Sequence, residues 1–187
     1  NPAAAYLAAI ALGVYVFLYT PLKRRSSTNT LLGGIPGAIP PMIGWAAVAH
    51  AAGAGGSWAD GRSWYLFALL FLWQMPHFVA ISWLVRKQYE EAGYVMWTNG
   101  DVSGKKAAVI ASGFTVLLTL LSPIGWLLGY ADLVWLVGGT ILGLLMLWLC
   151  LKFYKGGESP AARKLFLYTL LYLPMALGLL AIGWRQG

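Results

Sequence analysis

The sequence carries very little charge. Only 10% of its 187 residues are Asp, Glu, Lys or Arg, whereas about a quarter are charged in a typical soluble domain. Together with 59% hydrophobic residues, this scarcity excludes a soluble globular domain and indicates an integral membrane protein. The net charge of +7 comes from basic residues in short loops between apolar runs. Membrane topology and anionic lipid account for such residues, so we expect a lipid bilayer and no nucleic acid as partner.

Cysteine and histidine are also scarce. The single cysteine, Cys150, lies in an apolar run, which excludes a disulfide bond within the chain. There are two histidines, and one of them, His77, lies inside an apolar run. The chain begins at Asn1-Pro2 without an initiator Met, a signal peptide or a charged leader. We therefore expect the sequence to be part of a longer or processed protein.

Long apolar runs dominate what is present. A helix needs about 20 apolar residues to cross a bilayer, and six segments qualify, at roughly 3–20, 31–54, 64–85, 107–128, 132–151 and 165–184. Because these runs are apolar nearly all round, they predict an all-α, polytopic membrane helical bundle, with residues 1–187 as a single transmembrane domain. The second run is irregular, since Gly and Pro crowd residues 33–41. Broken backbone of this kind is tolerated in a membrane where it is buried in protein or lines a cavity.

The basic residues predict which way the chain crosses the membrane. All but two of the 13 Lys and Arg residues lie in the loops at 20–30, 86–106 and 152–164, and the exceptions are Arg62 and Arg185. By the positive-inside rule these three loops face the cytoplasm, or the matrix in an organelle. The expected location is a bacterial inner membrane, with the mitochondrial inner membrane as the alternative.

The third apolar run is the most informative one for function. It carries Gln74, Pro76 and His77 in its interior and ends in a charged cluster that begins at Arg86. Polar groups at membrane depth are costly, so they usually face a cavity or a partner. One interpretation of His77 is structural, as a histidine bonded to a neighbouring helix. The functional interpretations are a general base, a cation stabiliser or a haem contact.

Two polar clusters lie on the predicted inner side, at residues 19–29 and 86–106. The first contains Lys23, Arg24 and Arg25 among hydroxyl side chains. This composition suits a diphosphate, although the same charges could serve membrane topology alone. The second contains Glu90 and Glu91, and one or two carboxylates commonly hold Mg²⁺ beside a phosphate. Adjacent residues do not share one face of a helix, so a solvated helix end is the alternative.

Three motifs then carry a family resemblance over the first half of the chain. They are YTPLKRRSSTNTLLGGIPGAIPPMIGW at 19–45, WQMPHFVAISW at 73–83 and QYEEAGYVM at 88–96. The sequence resembles the UbiA-type intramembrane prenyltransferase superfamily, and within it the protohaem IX farnesyltransferases (haem O synthases). The resemblance implies a nine-helix fold, of which six spans are present. It also implies transfer of a farnesyl group from farnesyl diphosphate to a vinyl group of haem B, assisted by Mg²⁺.

The resemblance also implies roles for individual residues. Lys23, Arg24 and Arg25 would hold diphosphate or a haem propionate, and His77 would face the haem or the cation. The substrate-binding residues would be Tyr19, Asn29, Gln74, Arg86, Tyr89, Lys105 and Lys106, and the metal ligands would be Glu90, Glu91 and Asp101. A haem A synthase or an oxidase assembly factor is the implied protein partner.

Two departures from the family pattern leave alternatives open. The Asn/Asp cluster of the superfamily's first inner loop is absent, and Gln88 stands where the family commonly has Asp. We therefore expect this chain to be inactive by itself. The alternative functions are a UbiA-type prenyltransferase with a quinone or chlorophyll precursor as acceptor, and a non-catalytic haem-binding membrane protein.

Overall fold

The structure is a computed structural model that describes residues 1–51, 59–157 and 159–185, and most of these residues are helical. The α-helices are α1 (Pro2–Gly13), α2 (Thr20–Leu22), α3 (Asn29–Ala38), α4 (Pro40–Ala51), α5 (Gly61–Leu84), α6 (Arg86–Glu91), α7 (Lys105–Leu127), α8 (Leu133–Gly156) and α9 (Ser159–Gly183). A π-helical segment, Val14–Tyr19, connects α1 to α2. No β-strand occurs within these ranges; Ala131 and Trp184 form an isolated bridge.

The six predicted membrane spans are confirmed. Six helical stretches are long and apolar enough to cross a bilayer: Pro2–Leu22, Asn29–Ala51, Gly61–Leu84, Lys105–Leu127, Leu133–Gly156 and Ser159–Gly183. The end predicted for the second span, residue 54, lies outside the described residues. The all-α prediction is confirmed, and the protein is an integral membrane protein.

The second span is broken where its prolines predict a break. Helix α3 ends at Ala38 and α4 begins at Pro40, with Ile39 between them. Proline has no backbone N–H to donate, and beyond the two prolines Met42 N–H donates to the Ile39 carbonyl at 2.9 Å. Ile39 and Met42 are buried and line an apolar cavity of about 460 Å³. Ile39 and Met42, on either side of the two prolines, are therefore covered by protein, whereas Pro40 is exposed.

The chain forms two compact units. The first unit is Asn1–Phe71 with Gly93–Met96, and the second unit is Leu72–Ala92 with Trp97–Gly187. In the first unit α1 packs on α4, and the π-helical segment packs on α3. Buried Leu7, Ile39, Met42 and Ala46 form the core of this unit. A single domain over residues 1–187 stays a prediction.

Glycines set the contact between α7 and α8 in the second unit. Gly139 and Gly143 lie one turn apart on α8, against Ser122 and Thr119 of α7. A Cβ atom at Gly143 would lie 2.8 Å from Thr119 Cβ. Small residues at this spacing let helix backbones approach closely in a membrane. The close packing of α8 on α7 therefore depends on the absence of side chains at Gly139 and Gly143.

We expect Gly143→Ala to lower the free energy of unfolding by about 1–3 kcal/mol, because the added methyl group overpacks this contact. Gly178→Ala in α9 is the matched control, since a Cβ there has no heavy atom within 4 Å. It should leave stability unchanged or raise it by about 0.5–1 kcal/mol, as helical Gly→Ala changes do. Thermal unfolding of the detergent-solubilised protein measures both. Equal midpoints for the two variants would contradict the close approach.

Candidate functional site

His77 lies in the second half of α5 and contacts α9. Its Nδ1 atom is 2.9 Å from the hydroxyl oxygen of Thr169. The imidazole ring lies between aromatic neighbours, with centroid distances of 5.5 Å to Trp73 and 5.0 Å to Phe166. The side chain is half-buried. His77 is therefore held both by a hydrogen bond and by packing on two sides.

The Thr169 hydroxyl determines which nitrogen of His77 carries the proton. Thr169 Oγ1 donates to the Phe166 carbonyl at 2.6 Å, and a hydroxyl has only one hydrogen to donate. Toward His77 it must therefore accept, so the neutral imidazole is protonated on Nδ1. The other nitrogen, Nε2, then keeps its lone pair as an acceptor. Nε2 makes no hydrogen bond to the described residues.

Thr169 also receives a second bond from α5. Trp73 Nε1 donates to the Thr169 carbonyl at 2.7 Å, and Gln74 beside it is buried. The bond between His77 and a neighbouring helix is what the structural interpretation expects. The available Nε2 is what the functional interpretations require. Both features are present in one side chain, and the catalytic role of His77 stays a prediction.

Trp83 anchors the charged end of α5. Its indole ring is 1% exposed, and Nε1 donates to the Asp101 carbonyl at 2.8 Å. The Arg86 guanidinium lies 4.1 Å from the centre of this ring and donates to the Trp83 carbonyl at 2.9 Å. Thr98 adds a hydroxyl bond to Ser82 at 3.2 Å. The loop that follows α6 is thus attached to the end of α5 by buried hydrogen bonds.

The three carboxylates predicted as metal ligands have different surroundings. Asp101 is buried, and it accepts from Ala107 N–H at 2.8 Å and from Ser103 Oγ at 3.2 Å. Glu90 accepts from Gly100 N–H at 3.0 Å, and Glu91 is exposed. Among the described residues no three His, Cys, Asp or Glu side chains are grouped to hold a metal ion. Asp101 is thus placed as a cap for the start of α7, and the metal assignment stays a prediction.

The remaining predicted residues of the second unit lie on α6 and at the start of α7, on either side of the loop between these helices. Lys105 and Lys106 are exposed, and the Lys105 ammonium is 5.9 Å from the centre of the Tyr154 ring. Tyr89 is half-buried on α6. The two lysines give this surface a positive charge.

In the first unit, the basic cluster follows the π-helical segment directly. The Lys23 ammonium lies 4.4 Å from the centre of the Tyr19 ring, a cation–π distance. The Tyr19 ring rests on Gly33 of α3, where a Cβ would come within 2.6 Å of a ring carbon. Arg24 and Arg25 are exposed and make no ion pair within the described part of the chain. Both guanidinium groups are thus available to an anion.

Asn29 joins this basic turn to the segment Gly93–Met96. Its Nδ2 donates to the Val95 carbonyl and to the Ser26 carbonyl, both at 2.6 Å. In return, Val95 N–H donates to the Lys23 carbonyl at 2.8 Å. Asn29 is 1% exposed, and its Oδ1 has no hydrogen-bond partner among the described residues. The amide nitrogen of Asn29 therefore shapes the turn, and its role in binding substrate stays a prediction.

Thr169 is not among the residues predicted from the sequence. This residue lies in an apolar span that matched the family only in hydropathy and spacing. A hydroxyl inside that span was the available signal, because buried polar groups in membranes usually have a partner. The partner, His77, is 92 residues away in sequence, so no local pattern connects the two.

We expect Asp101→Ala to lower the free energy of unfolding by about 1 kcal/mol, because α7 loses a side-chain cap. Asp101→Asn should retain most of the stability, since its amide oxygen can accept from Ala107 N–H. Glu91→Ala is the exposed control and should change nothing. The measurement is thermal unfolding with and without Mg²⁺. If Asp101→Asn were as unstable as Asp101→Ala and also lost a protective effect of Mg²⁺, Asp101 would be a metal ligand.

Comparison with known proteins gives several matches over nearly the whole chain. A "Protoheme IX farnesyltransferase" of Solibacter usitatus is 38% identical over 182 residues, which is 97% of this chain and 60% of the relative. A mitochondrial "Protoheme IX farnesyltransferase" of Neurospora crassa is 36% identical over 206 residues, covering all of this chain and 38% of the relative. The chain thus spans no more than about 60% of the length of these relatives.

A solved structure of a digeranylgeranylglyceryl phosphate synthase has the same fold. It superposes with a TM-score of 0.72 over 96% of this chain and 60% of that chain, at 17% sequence identity. At this identity the likeness concerns the fold alone. The sequence profile of the UbiA prenyltransferase family matches residues 1–182, and the chain therefore belongs to the UbiA prenyltransferase family.

Proposed function

We propose that this protein transfers a farnesyl group from farnesyl diphosphate to a vinyl group of haem B and so forms haem O. The observation that carries the proposal is the likeness, over 97% of the chain, to relatives named protoheme IX farnesyltransferase. Membership of the family supports the reaction type, which is prenyl transfer within a membrane. Because the chain covers 60% of that relative, the proposal concerns the complete protein.

The first step breaks the bond between farnesyl C1 and the diphosphate oxygen. Negative charge builds up on the leaving group, so fixed positive charges near it lower the barrier. Arg24 and Arg25 support this role, because both are exposed and free of ion pairs within the described residues. Lys23 adds a third positive charge beside the Tyr19 ring. In the proposal these three residues bind the diphosphate or a haem propionate.

The next steps form a carbon–carbon bond and add water. The terminal vinyl carbon of haem B bonds to farnesyl C1, and the positive charge moves to the vinyl carbon next to the porphyrin. Water adds its oxygen to that carbon and loses one proton. His77 supports this step, because its Nε2 lone pair is an acceptor that Thr169 leaves available. The products are haem O, diphosphate and one proton.

Mg²⁺ is implied by the family, whose members generally use it to bind the diphosphate. The described carboxylates do not form such a site by themselves. Asp101 accepts two hydrogen bonds at the start of α7, and Glu90 accepts one from Gly100. Glu91 is exposed, and among the described residues no three His, Cys, Asp or Glu side chains are grouped to hold a metal ion. No catalytic step is therefore assigned to a metal held by these three residues.

In the proposal the protein lies in a bacterial inner membrane, with the loops at 20–30, 86–106 and 152–164 on the cytoplasmic side. The distribution of Lys and Arg between the loops supports this orientation. Relatives occur both in bacteria and in mitochondria, so the matrix side of a mitochondrial inner membrane is the equivalent location. A haem A synthase or an oxidase assembly factor as protein partner stays a prediction.

We expect the complete protein, incubated with haem B, farnesyl diphosphate and Mg²⁺, to yield a haem whose mass has increased by one farnesyl and one hydroxyl group. Mass spectrometry of the extracted haem measures the product. Parallel reactions with an aromatic acid or a chlorophyll precursor test the other acceptors. A product only in those reactions would assign a different acceptor. Intact haem binding with no product would instead favour the non-catalytic alternative.

We expect His77→Asn to lower turnover by about 100-fold or more, as loss of a general base does, while leaving the protein folded. The asparagine amide nitrogen takes the position of Nδ1 and can still donate to Thr169, whereas nothing replaces Nε2. Thermal unfolding and haem product formation are measured together. Thr169→Val is the companion variant, which loses the bond but keeps the histidine. Wild-type turnover in His77→Asn would show that His77 is structural.

A further inference from the structure

Two apolar grooves run along the surface of α8 and share the side chains of Leu145 and Trp148. The first groove, of about 350 Å³, also contains Ile141 and Leu144. The second groove, of about 420 Å³, lies between α8 and α9 and extends to Leu171. Leu145 is 46% exposed and Trp148 is 51% exposed. The two side chains thus form a ridge with an open groove on either side.

The grooves, together with the helical turn that leads from Trp148 to Lys152, match one leaflet of a bilayer in length. From Ile141 to Lys152, α8 advances about 16 Å at 1.5 Å per residue. The hydrocarbon core of a bilayer is about 30 Å thick, so one leaflet is about 15 Å deep. An acyl chain that starts level with Lys152 would therefore end near Ile141. Two such chains, one on each side of the ridge, correspond to one glycerophospholipid.

Positive charge collects at one end of the grooves. The Lys152 ammonium lies over the Trp148 ring, 3.7 Å from its centre. Lys164, near the start of α9, lines the second groove. Both lysines are exposed and flank the connection from α8 to α9. In sequence this connection, 152–164, has four basic residues and a single acidic one, Glu158.

We propose that this surface is a binding site for one anionic glycerophospholipid. Its phosphate contacts Lys152 and Lys164, and its two acyl chains fill the grooves on either side of Leu145 and Trp148. Lysines at a membrane surface attract anionic headgroups, and tryptophan is enriched at the level of the headgroups. A second copy of the chain is less suitable as occupant. In a dimer whose symmetry axis runs along the membrane normal, the second copy would place its own Lys152 and Lys164 at the same depth. Like charges would then meet across the interface.

The test compares two pairs of substitutions that remove equal charge from the same connection. Lys152→Gln with Lys164→Gln removes the charges at the grooves. Lys155→Gln with Arg163→Gln is the control pair, since neither residue lines a groove or lies over the Trp148 ring as Lys152 does. Binding of phosphatidylglycerol and of phosphatidylcholine to the complete detergent-solubilised protein is measured by native mass spectrometry, which also reports the oligomeric state.

We expect the wild type and the control pair to retain one phosphatidylglycerol in preference to phosphatidylcholine. The groove pair should lose affinity for phosphatidylglycerol by about 30-fold, since each lysine near the surface contributes about fivefold. Trp148→Ala, which keeps both lysines, should weaken binding of the lipid because the ridge is lost. If both pairs lost the same affinity for phosphatidylglycerol, the attraction would be a general effect of positive charge and there would be no specific site. Equal binding of both lipids, or a dimer that the groove pair dissociates, would also overturn the proposal.

Discussion

The single proton of the Thr169 hydroxyl is the constraint on which the second unit's candidate chemistry depends. Because that proton is donated to the Phe166 carbonyl, His77 must donate from Nδ1, and its Nε2 keeps its lone pair as an acceptor. The carbonyl of the same residue accepts from Trp73, so α5 is joined to α9 at two atoms of one residue. The structural role of His77 therefore does not conflict with its proposed chemical role, since each uses a different nitrogen.

The charged residues divide into two groups with different uses. Two of the acidic side chains accept hydrogen bonds in or next to the loop between α6 and α7. Asp101 accepts from Ala107 N–H of α7, and Glu90 accepts from Gly100 N–H. The guanidinium groups of Arg24 and Arg25 are exposed and without ion pairs in the described part of the chain. In the proposed reaction, the charge of the departing diphosphate is thus neutralised by cationic side chains of this chain more than by a metal ion held on its carboxylates. That division agrees with Gln88, a neutral residue where the resemblance leads one to expect Asp.

Hydropathy and residue type alone predicted much of this fold, and the reason is physical. A bilayer demands about 20 apolar residues per span, so all six helices could be located from the sequence, and the prolines placed the break near Ile39. Long-range contacts could not be found in this way. The bond from Asn29 to Val95 spans 66 residues and that from His77 to Thr169 spans 92. The use of Asp101 as a cap could not be predicted either, since it depends on where Ala107 N–H points.

The π-helical segment has a consequence for the rotational phase of the first span. Its backbone bonds skip one residue more than those of an α-helix, as in the bond from Thr20 N–H to the Tyr15 carbonyl. One extra residue in a turn offsets everything after it by about 100° around the axis. Tyr19 and the cations beyond it therefore point in a direction that an unbroken helix would give to a neighbouring position. An alignment of this span to an unbroken helix without a one-residue gap would assign them to the wrong face.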